Sequence, residues 1–168
     1  MKVAKRRTEI IRVLDGSKTP LTGTDLSKKF GVSRQIIVGD ISALKEEGYK
    51  ISSTHFGYVL KGLPLKSRVF KVKHASDKTG DELSLIVSMK GQVADVYVVH
   101  DVYGKISAPL NIYTEEHVKA FMDGVRSGKS SELMNITEGN HYHTVRAKTE
   151  EILDQIEAKL KAEGYLAE

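Results

Sequence analysis

Two short helical patterns joined by only about three residues narrow the possible folds of this chain more than any other part of its sequence. The first pattern, LTGTDLSKKFG, has Thr22 as an N-cap and Asp25 three residues later, which is a capping-box spacing, and it ends at Gly31. The second, VSRQIIVGDISALKEEG, begins at the N-cap Ser33 and ends at Gly48. Such a tight connection between two helices is typical of a helix-turn-helix.

The flanking sequence extends this pair to a winged helix. Residues 3–14 form a further helical pattern, whose apolar face carries Val3, Ile10, Val13 and Leu14. After the second helix of the pair, YKISSTHFGYVLKG alternates on both sides of Phe56-Gly57 and predicts a short hairpin. Three helices followed by a hairpin predict a winged helix-turn-helix domain over residues 1–62.

A second, mixed domain is predicted for residues 66–168, beyond a linker at residues 62–65. Helical and alternating patterns succeed one another in this half, with helices at 80–93, 114–128 and 148–164 and strands at 94–104, 105–114 and 140–147. Tyr165-Leu166 is predicted as a last short strand. The fold class is therefore α+β: an N-terminal winged helix-turn-helix domain followed by a compact α/β domain with one sheet covered by helices.

The net charge of +4 conceals a strong difference between the two halves. Residues 1–73 contain 16 Lys+Arg and 6 Asp+Glu, a balance of +10, whereas residues 74–168 contain 10 and 16, a balance of −6. A basic half beside an acidic one indicates different partners, with a polyanion as the candidate for the basic half.

Composition excludes several classes of protein. The chain has no cysteine, so it has no disulfide framework, no thiolate zinc site and no cysteine nucleophile. Nothing in it resembles a signal peptide, and no apolar run approaches the roughly 18 residues of a membrane span. We therefore predict a cytoplasmic protein without a membrane partner.

DNA is the polyanion that the helix-turn-helix predicts, since the first residues of its second helix reach base edges in the major groove. Gln35 can pair with adenine, Arg34 can reach guanine or a phosphate, and Ser33 can contact a phosphate. Further candidates for neutralising the DNA backbone are Arg6, Arg7 and Lys45, with Lys28 and Lys29.

Gly39 is unexpected within the predicted recognition helix, where glycine costs about 1 kcal/mol relative to alanine. Its small size permits a close approach either to DNA or to a neighbouring helix. Tolerated drift is a third explanation, and the sequence leaves the choice open.

The C-terminal half contains a candidate metal site. His141 and His143 are two residues apart on a predicted strand, so both imidazoles face the same side of the sheet. His74 lies just before the first helix of this half, and Glu82 follows it by eight residues. Three neutral imidazoles and one carboxylate suit a divalent Zn, Ni, Fe, Co or Mn ion without selecting among them. Two other carboxylates compete with Glu82 for its position, namely Asp77 and Asp81.

These segments resemble known families. The sequence VSRQIIVGDISALKEEGYKI after TGTDLSKKFGVS resembles the helix-turn-helix of several small-molecule-responsive bacterial repressors. The second half, with VKHASDKTGDELSLIV, VYVVHDVYGKI and LMNITEGNHYHTVRAKT, resembles the three-histidine (3H) domain. In this order the two are similar to the NiaR family of nicotinate-responsive repressors of NAD biosynthesis and niacin uptake.

The resemblance implies a homodimer that binds a palindromic operator more tightly when nicotinic acid is present as co-repressor. It also implies a divalent transition metal such as Ni, Zn or Fe, with His74, Glu82, His141 and His143 at the family's ligand positions. Candidates for contacting the effector are His100, Asp101 and Tyr103.

Two other functions are consistent with the same residues. One is a repressor that senses the metal itself, and the other is a metal-dependent hydrolase fused to a DNA-binding module. Because the sequence contains no nucleophile motif and no phosphate-binding loop, we predict that the protein is not an enzyme.

Overall fold

The computed structural model describes residues 1–168, which divide into two compact units, Met1–Pro64 and Leu65–Glu168. We call these the N-terminal and C-terminal units and describe each by itself. None of the helices combines the length and the apolar character needed to cross a membrane.

The N-terminal unit contains three helices followed by an antiparallel hairpin. Its elements are α1 (Val3–Gly16), α2 (Gly23–Phe30), α3 (Arg34–Glu46), β1 (Lys50–Thr54) and β2 (Gly57–Gly62). The hairpin is tied to the start of α2, because Leu21 and Tyr58 exchange backbone hydrogen bonds. Gly57 permits this approach: it has a φ of 129°, and a Cβ there would lie 2.6 Å from the Leu21 carbonyl oxygen. The predicted order of three helices and a hairpin is confirmed.

Local capping fixes the helix-turn-helix. The Thr22 hydroxyl accepts a hydrogen bond from the Asp25 N–H, and the Asp25 carboxylate accepts one from the Thr22 N–H, each at 3.0 Å. Gly31 ends α2 in the left-handed conformation, and the Ser33 hydroxyl then accepts the Ile36 N–H at the start of α3. These contacts join residues at most three apart, which is why the sequence predicts them.

The core of the N-terminal unit is formed by aliphatic side chains from all three helices and β1: Ile10, Leu14, Leu26, Ile37, Ile41, Leu44 and Ile51. The apolar pattern predicts Val3 on the buried face of α1, but Val3 is 49% exposed because it is the first residue of the helix and precedes the part that packs. Burial of a stripe on each helix leaves the opposite face of α3 accessible.

The C-terminal unit is a four-stranded antiparallel sheet with three main helices. Its elements are β3 (Lys66–Lys73), α4 (Thr79–Ser88), β4 (Gln92–His100), β5 (Gly104–Ile112), α5 (Glu115–Arg126), β6 (Asn140–Ala147) and α6 (Glu150–Ala162), with single-turn 3-10 helices at Ser76–Lys78 and Leu133–Thr137. The strand order is β3-β6-β4-β5, so the last strand in sequence lies in the middle of the sheet.

The structure of the C-terminal unit differs in three details from the elements that the sequence predicts. The sequence pattern predicts no element over Lys66–Lys73, which forms β3, and the helix predicted over 80–93 ends at Ser88. The chain turns there because Lys90 has a φ of 66° and Gly91 packs too closely against Ile86 to carry a Cβ. Leu166 forms only an isolated bridge with Val72 rather than a strand.

Alternation along β6 positions the candidate site. Its buried positions are His141, His143, Val145 and Ala147, which lie on one face of the sheet. The two aliphatic residues join the hydrophobic core with residues of α4 and α6, while the two histidines continue the same face toward the start of β6. The central position of β6 therefore carries both imidazoles into the interior.

Candidate metal centre and nucleic-acid interface

All four predicted metal ligands converge in the C-terminal unit, and we call His74, Glu82, His141 and His143 the histidine cluster. His74 follows β3 directly, Glu82 lies in the first turns of α4, and the other two lie on β6. The antiparallel register sets Val72 opposite His141. This pairing brings the end of β3 beside the start of β6, although the two segments are far apart in sequence.

Glu82 is the centre of the histidine cluster. Its Oε2 lies 2.5 Å from His74 Nε2 and 3.4 Å from His141 Nε2, and its Oε1 lies 3.4 Å from His143 Nε2. The side chain of Glu82 is completely buried. The potential ligand atoms of His74, Glu82 and His141 all lie within 4.8 Å of one another, a spacing that allows them to share one ion.

Backbone carbonyls orient the three imidazoles. Each Nδ1 donates to a carbonyl oxygen: His74 to Ala75 at 2.8 Å, His141 to Gly139 at 2.9 Å and His143 to Asp95 at 2.8 Å. With Nδ1 carrying the proton, each neutral ring directs the lone pair of Nε2 toward Glu82. In these neutral tautomers, three lone pairs and a carboxylate meet with no donor among them. Glu82 Oε1 makes no hydrogen bond, and Oε2 lies within hydrogen-bond distance of His74 Nε2 alone. A divalent cation satisfies this donor set, so the residues fit the metal that the resemblance implies.

The charges of the histidine cluster are strongly coupled. Burial opposes ionisation of Glu82, but His143, His141 and His74 outweigh it and hold the pKa of Glu82 well below its usual range. Burial likewise opposes protonation of His74 and of His143, but the Glu82 carboxylate outweighs it and raises the pKa of both. A positive charge on these imidazoles, from a proton or from a bound cation, would therefore balance the carboxylate of Glu82.

Two residues outside the motif support the histidine cluster. Gly139 has a φ of 86°, and a Cβ there would lie 2.5 Å from the His74 carbonyl oxygen, so only glycine fits. Asp95 on β4 accepts the His143 Nδ1–H through its carbonyl, while its carboxylate accepts hydrogen bonds from Thr144. The sequence contains a clue to the role of Gly139, because this glycine directly precedes the Asn-His-Tyr-His run. It contains no such clue to the role of Asp95.

The competing carboxylates lie outside the histidine cluster. Asp77 belongs to the 3-10 helix that precedes α4, and Asp81 is exposed beside Lys78. The first turn of α4 places Asp81 on the solvent side and Glu82 on the buried side. Helix geometry therefore selects Glu82 among the acidic residues of this segment.

The three effector candidates lie at the β4–β5 turn. His100 Nδ1 accepts the backbone N–H groups of Val102 and Tyr103, at 3.1 and 3.2 Å, which organises the turn. Asp101 is exposed and Tyr103 is 76% exposed. His100 and Asp101 line an open surface groove, but none of the three candidates lines the cavity that contains His141 and His143.

The start of α3 presents three of the predicted DNA contacts. Ser33, Arg34 and Gln35 are all exposed at the N-terminal end of this helix. Lys45 is exposed at the other end and donates to the Ser53 hydroxyl at 2.9 Å. A free N-terminal end with polar side chains around it is the arrangement by which such a helix meets base edges and phosphates.

Arg6 and Arg7 are instead bound to Asp40, and we call these three residues the arginine cluster. Asp40 accepts from Arg6 Nε at 2.6 Å and from Arg7 Nε at 3.1 Å, and its side chain is only 3% exposed. Burial opposes its ionisation, but both guanidinium groups outweigh burial and lower the pKa of Asp40. Arg6 is itself buried, so we remove it from the set proposed to neutralise phosphates. One feature of the sequence indicates this ion pair: Asp40 falls on the buried stripe of α3 with Ile37 and Ile41, where a carboxylate needs a positively charged partner.

The structure narrows the explanations for Gly39. A Cβ at this position would meet nothing within 4 Å, which removes the close approach of a neighbouring helix in the N-terminal unit. Two exposed apolar side chains of α3 flank Gly39 on either side, Ile36 at 44% and Val38 at 42% exposure. An accessible helix face with a glycine and aliphatic groups is suited to contact with an external surface.

Both units match known families. The model of an HTH domain matches residues 6–59, and that of the 3H domain matches residues 67–168. The chain is 39% identical over 165 residues to the "Probable transcription repressor NiaR" of Thermotoga maritima, an alignment that covers 98% of this chain and 94% of that protein. It is 37% identical over 168 residues to the "Transcription repressor NadR" of Bacillus subtilis, covering 97% of this chain and 93% of the relative.

These matches confirm the predicted fold class and the resemblance to the NiaR family. Both relatives are named transcription repressors rather than enzymes, which confirms the prediction that this protein is not an enzyme. With a helix-turn-helix whose recognition helix is exposed, followed by a 3H domain, the chain belongs to the NiaR/NadR family of transcription repressors.

Proposed function

We propose that this repressor controls genes of NAD biosynthesis and niacin uptake, and that nicotinic acid acts as its co-repressor through a metal-containing 3H domain. The observation that carries the proposal is the histidine cluster, in which three oriented imidazoles surround a completely buried carboxylate. A repressor has no structural need for such a cluster in a domain that already has an aliphatic core. Its chemistry is that of a site for ligand binding.

His74, His141 and His143 would bind the metal through Nε2, and Glu82 would bind it through a carboxylate oxygen. Ni, Zn and Fe(II) all accept this donor set. When bound, such an ion supplies a Lewis-acidic position for an anionic ligand. One carboxylate leaves a divalent ion with a residual charge of about +1, which favours an anion such as nicotinate.

We propose that DNA is bound by a homodimer, one helix-turn-helix to each half of a palindromic operator. Within each half-site, Gln35 and Arg34 would contact base edges while Ser33 and Lys45 contact phosphates. Arg7, which is half-buried, would add positive charge near the backbone. Gly39 and Val38 would lie against the groove, where an aliphatic group can contact a thymine methyl group.

Nicotinic acid can strengthen operator binding only if it binds the DNA-competent conformation more tightly than the alternative. Coupling between two such sites is typically about 5- to 150-fold. By reciprocity, operator DNA must raise the affinity for nicotinic acid by the same factor. This equality provides an internal check on the proposed mechanism.

The test measures operator affinity by fluorescence anisotropy at one fixed salt concentration. The protein first selects its operator from random-sequence duplexes, and affinity is then measured with and without Ni²⁺ and with and without nicotinic acid. We expect tighter binding only when both are present. Equal affinities with and without nicotinic acid in the Ni²⁺-loaded protein would exclude the co-repressor role.

The same experiment distinguishes a metal-sensing repressor. This alternative is favoured by one observation, namely that the histidine cluster offers four potential ligands without any effector. Under it, Ni²⁺ alone changes operator affinity and nicotinic acid adds nothing. The two mechanisms therefore differ in a single arm of the titration.

A further inference from the structure

A second buried carboxylate in the C-terminal unit has no partner within the protein. Glu132 directly precedes the 3-10 helix Leu133–Thr137 and is 9% exposed. Neither of its carboxylate oxygens makes a hydrogen bond. Burying an unpaired carboxylate is costly unless a donor or a positive charge faces it. No hydrogen bond or ion pair within the protein satisfies Glu132, so its carboxyl group is available to a bound ligand.

Glu132 lies where two cavities adjoin. The inner cavity, of about 30 Å³, is lined by His141, His143 and Thr79, and the Thr79 hydroxyl is also buried without a partner. The outer cleft, of about 360 Å³, extends along α5 toward residues 129–131. Five residues line both spaces: Val96, Leu110, Phe121, Glu132 and Leu133.

The walls define the chemistry of a ligand. Apart from Glu132, the shared wall is aliphatic and aromatic, which suits a flat, apolar ring. At the inner end, a divalent ion in the histidine cluster would attract an anionic group. Glu132 lies between the apolar wall and the histidine cluster and offers a carboxyl group there. A carboxyl group and a pyridine-type nitrogen can form a hydrogen bond through one proton, which either the oxygen or the nitrogen can carry.

We propose that this pair of cavities is the effector site and that it takes a nitrogen-containing aromatic ring bearing a carboxylate, with Glu132 recognising the ring nitrogen. The inner cavity has room for about one water molecule, so the ring lies in the outer cleft. Its carboxylate points through the inner cavity toward His141 and His143, directly or through a water. This assignment rests on the proposed function, and it replaces the earlier candidates His100, Asp101 and Tyr103.

The test compares nicotinic acid with benzoic acid, which has the same ring size and carboxylate but no ring nitrogen. Calorimetric titrations use the full-length Ni²⁺-loaded protein and three variants: Glu132→Leu, Glu132→Gln and the control Glu151→Gln on the exposed side of α6. We expect the wild type to bind nicotinic acid about 10- to 100-fold more tightly than benzoic acid. Glu132→Leu should remove this preference, and Glu132→Gln should keep part of it because its amide can donate to a ring nitrogen.

Two further measurements separate recognition from a structural role. Glu132→Leu should retain its full Ni²⁺ content and unfold at the same temperature as the wild type or higher, since an unpaired buried carboxylate is removed. Unchanged nicotinic acid affinity in Glu132→Leu would overturn the assignment of Glu132, but the proposed role of nicotinic acid as co-repressor would still stand. Loss of Ni²⁺ from this variant would also overturn it, by placing Glu132 among the metal ligands. If the wild type binds no nicotinic acid, the proposed function fails as well, and that result is visible without any variant.

Discussion

Each unit buries a carboxylate among nitrogen-bearing side chains, but the two carboxylates are satisfied differently. In the arginine cluster, Asp40 accepts from Arg6 and Arg7, whose guanidinium groups are permanently charged and have no lone pair for a metal. In the histidine cluster, Glu82 faces three imidazoles whose Nε2 atoms can bind either a proton or a metal. The first cluster is complete within the protein, whereas a bound cation completes the second in the function that we propose.

This difference shows that a buried charge does not by itself identify a functional site. The chemistry of the neighbouring groups decides, because an arginine partner closes the site and a histidine partner leaves it open to exchange. Both clusters contain a carboxylate with a lowered pKa, so the pKa shift alone does not separate them. What distinguishes the two clusters is the number of nitrogen lone pairs beside the carboxylate, which is three at Glu82 and none at Asp40.

The largest expected difference between the clusters is their response to metal. At a free Ni²⁺ concentration about 1,000-fold above its dissociation constant, the C-terminal unit should gain about 4 kcal/mol in free energy of unfolding. His141→Ala should abolish this gain, because it removes one of the three imidazoles. His117→Ala, a histidine of α5 outside the histidine cluster, is the matched control and should keep it. Denaturant titrations with Ni²⁺ and with a chelator measure the effect, and equal gains in His141→Ala and wild type would contradict the site.

Asp40→Asn should destabilise the N-terminal unit by about 3 kcal/mol, whether or not metal is present. The amide leaves the buried Arg6 without its counter-charge, whereas Arg7 keeps Glu47 as a partner at 3.5 Å. Asp123→Asn on α5 removes an exposed partner of Lys119 and should change the free energy of unfolding by less than about 0.5 kcal/mol. Chemical denaturation followed by circular dichroism measures both variants. If the loss of unfolding free energy in Asp40→Asn depended on metal, the two clusters would not differ in the way described above.

Acid should remove the advantage of Asp40. Because the pKa of Asp40 is lower in the folded state than its unfolded value of about 3.9, the ionised carboxylate stabilises the fold above about pH 4. This contribution is lost as the pH falls through the folded-state pKa. The difference in stability between wild type and Asp40→Asn should therefore be full at neutral pH and shrink below about pH 4. A difference that stays constant down to about pH 2 would show that Asp40 acts through packing rather than charge.

The opposite charges of the two halves predict different effects on DNA binding. Lys45→Ala should reduce the slope of log affinity against log salt by about 2 for the dimer, since one proposed phosphate contact is lost in each half-site. Lys159→Ala, which lies on α6 in the acidic half, should leave the slope unchanged. Anisotropy titrations at several salt concentrations provide both slopes. If the two variants lower the slope equally, basic residues of both units contribute to DNA binding, and the predicted division of charge between the units is wrong.

Gly39→Ala should change stability and operator affinity in opposite directions. Alanine favours the helix by about 1 kcal/mol, and its Cβ meets nothing within the protein, so the N-terminal unit should be more stable. Operator binding should weaken if Gly39 permits close approach to DNA. Gly16→Ala at the end of α1, where a Cβ also meets nothing, should leave operator affinity unchanged. Unaltered affinity in Gly39→Ala would support drift as the explanation of this glycine.

Sequence alone was sufficient for features that depend on near neighbours. The helix-turn-helix follows from the capping box at Thr22, the left-handed Gly31 and the cap at Ser33, each of which acts over a few residues. The shared face of His141 and His143 follows from the period of two along a strand. These elements could be predicted because the interactions that form them are local.

Only the tertiary structure decided which charged groups meet. Arg6 and Asp40 are 34 residues apart, and their contact holds in a buried ion pair an arginine that the sequence predicts to contact DNA. His143 and Asp95 are 48 residues apart, and their hydrogen bond depends on β6 lying beside β4. Glu132 likewise carries no local pattern that predicts its burial. Such contacts depend on how strands and helices pack, which local propensities do not encode, whereas the sequence by itself had already determined the two domains and the histidines that they carry.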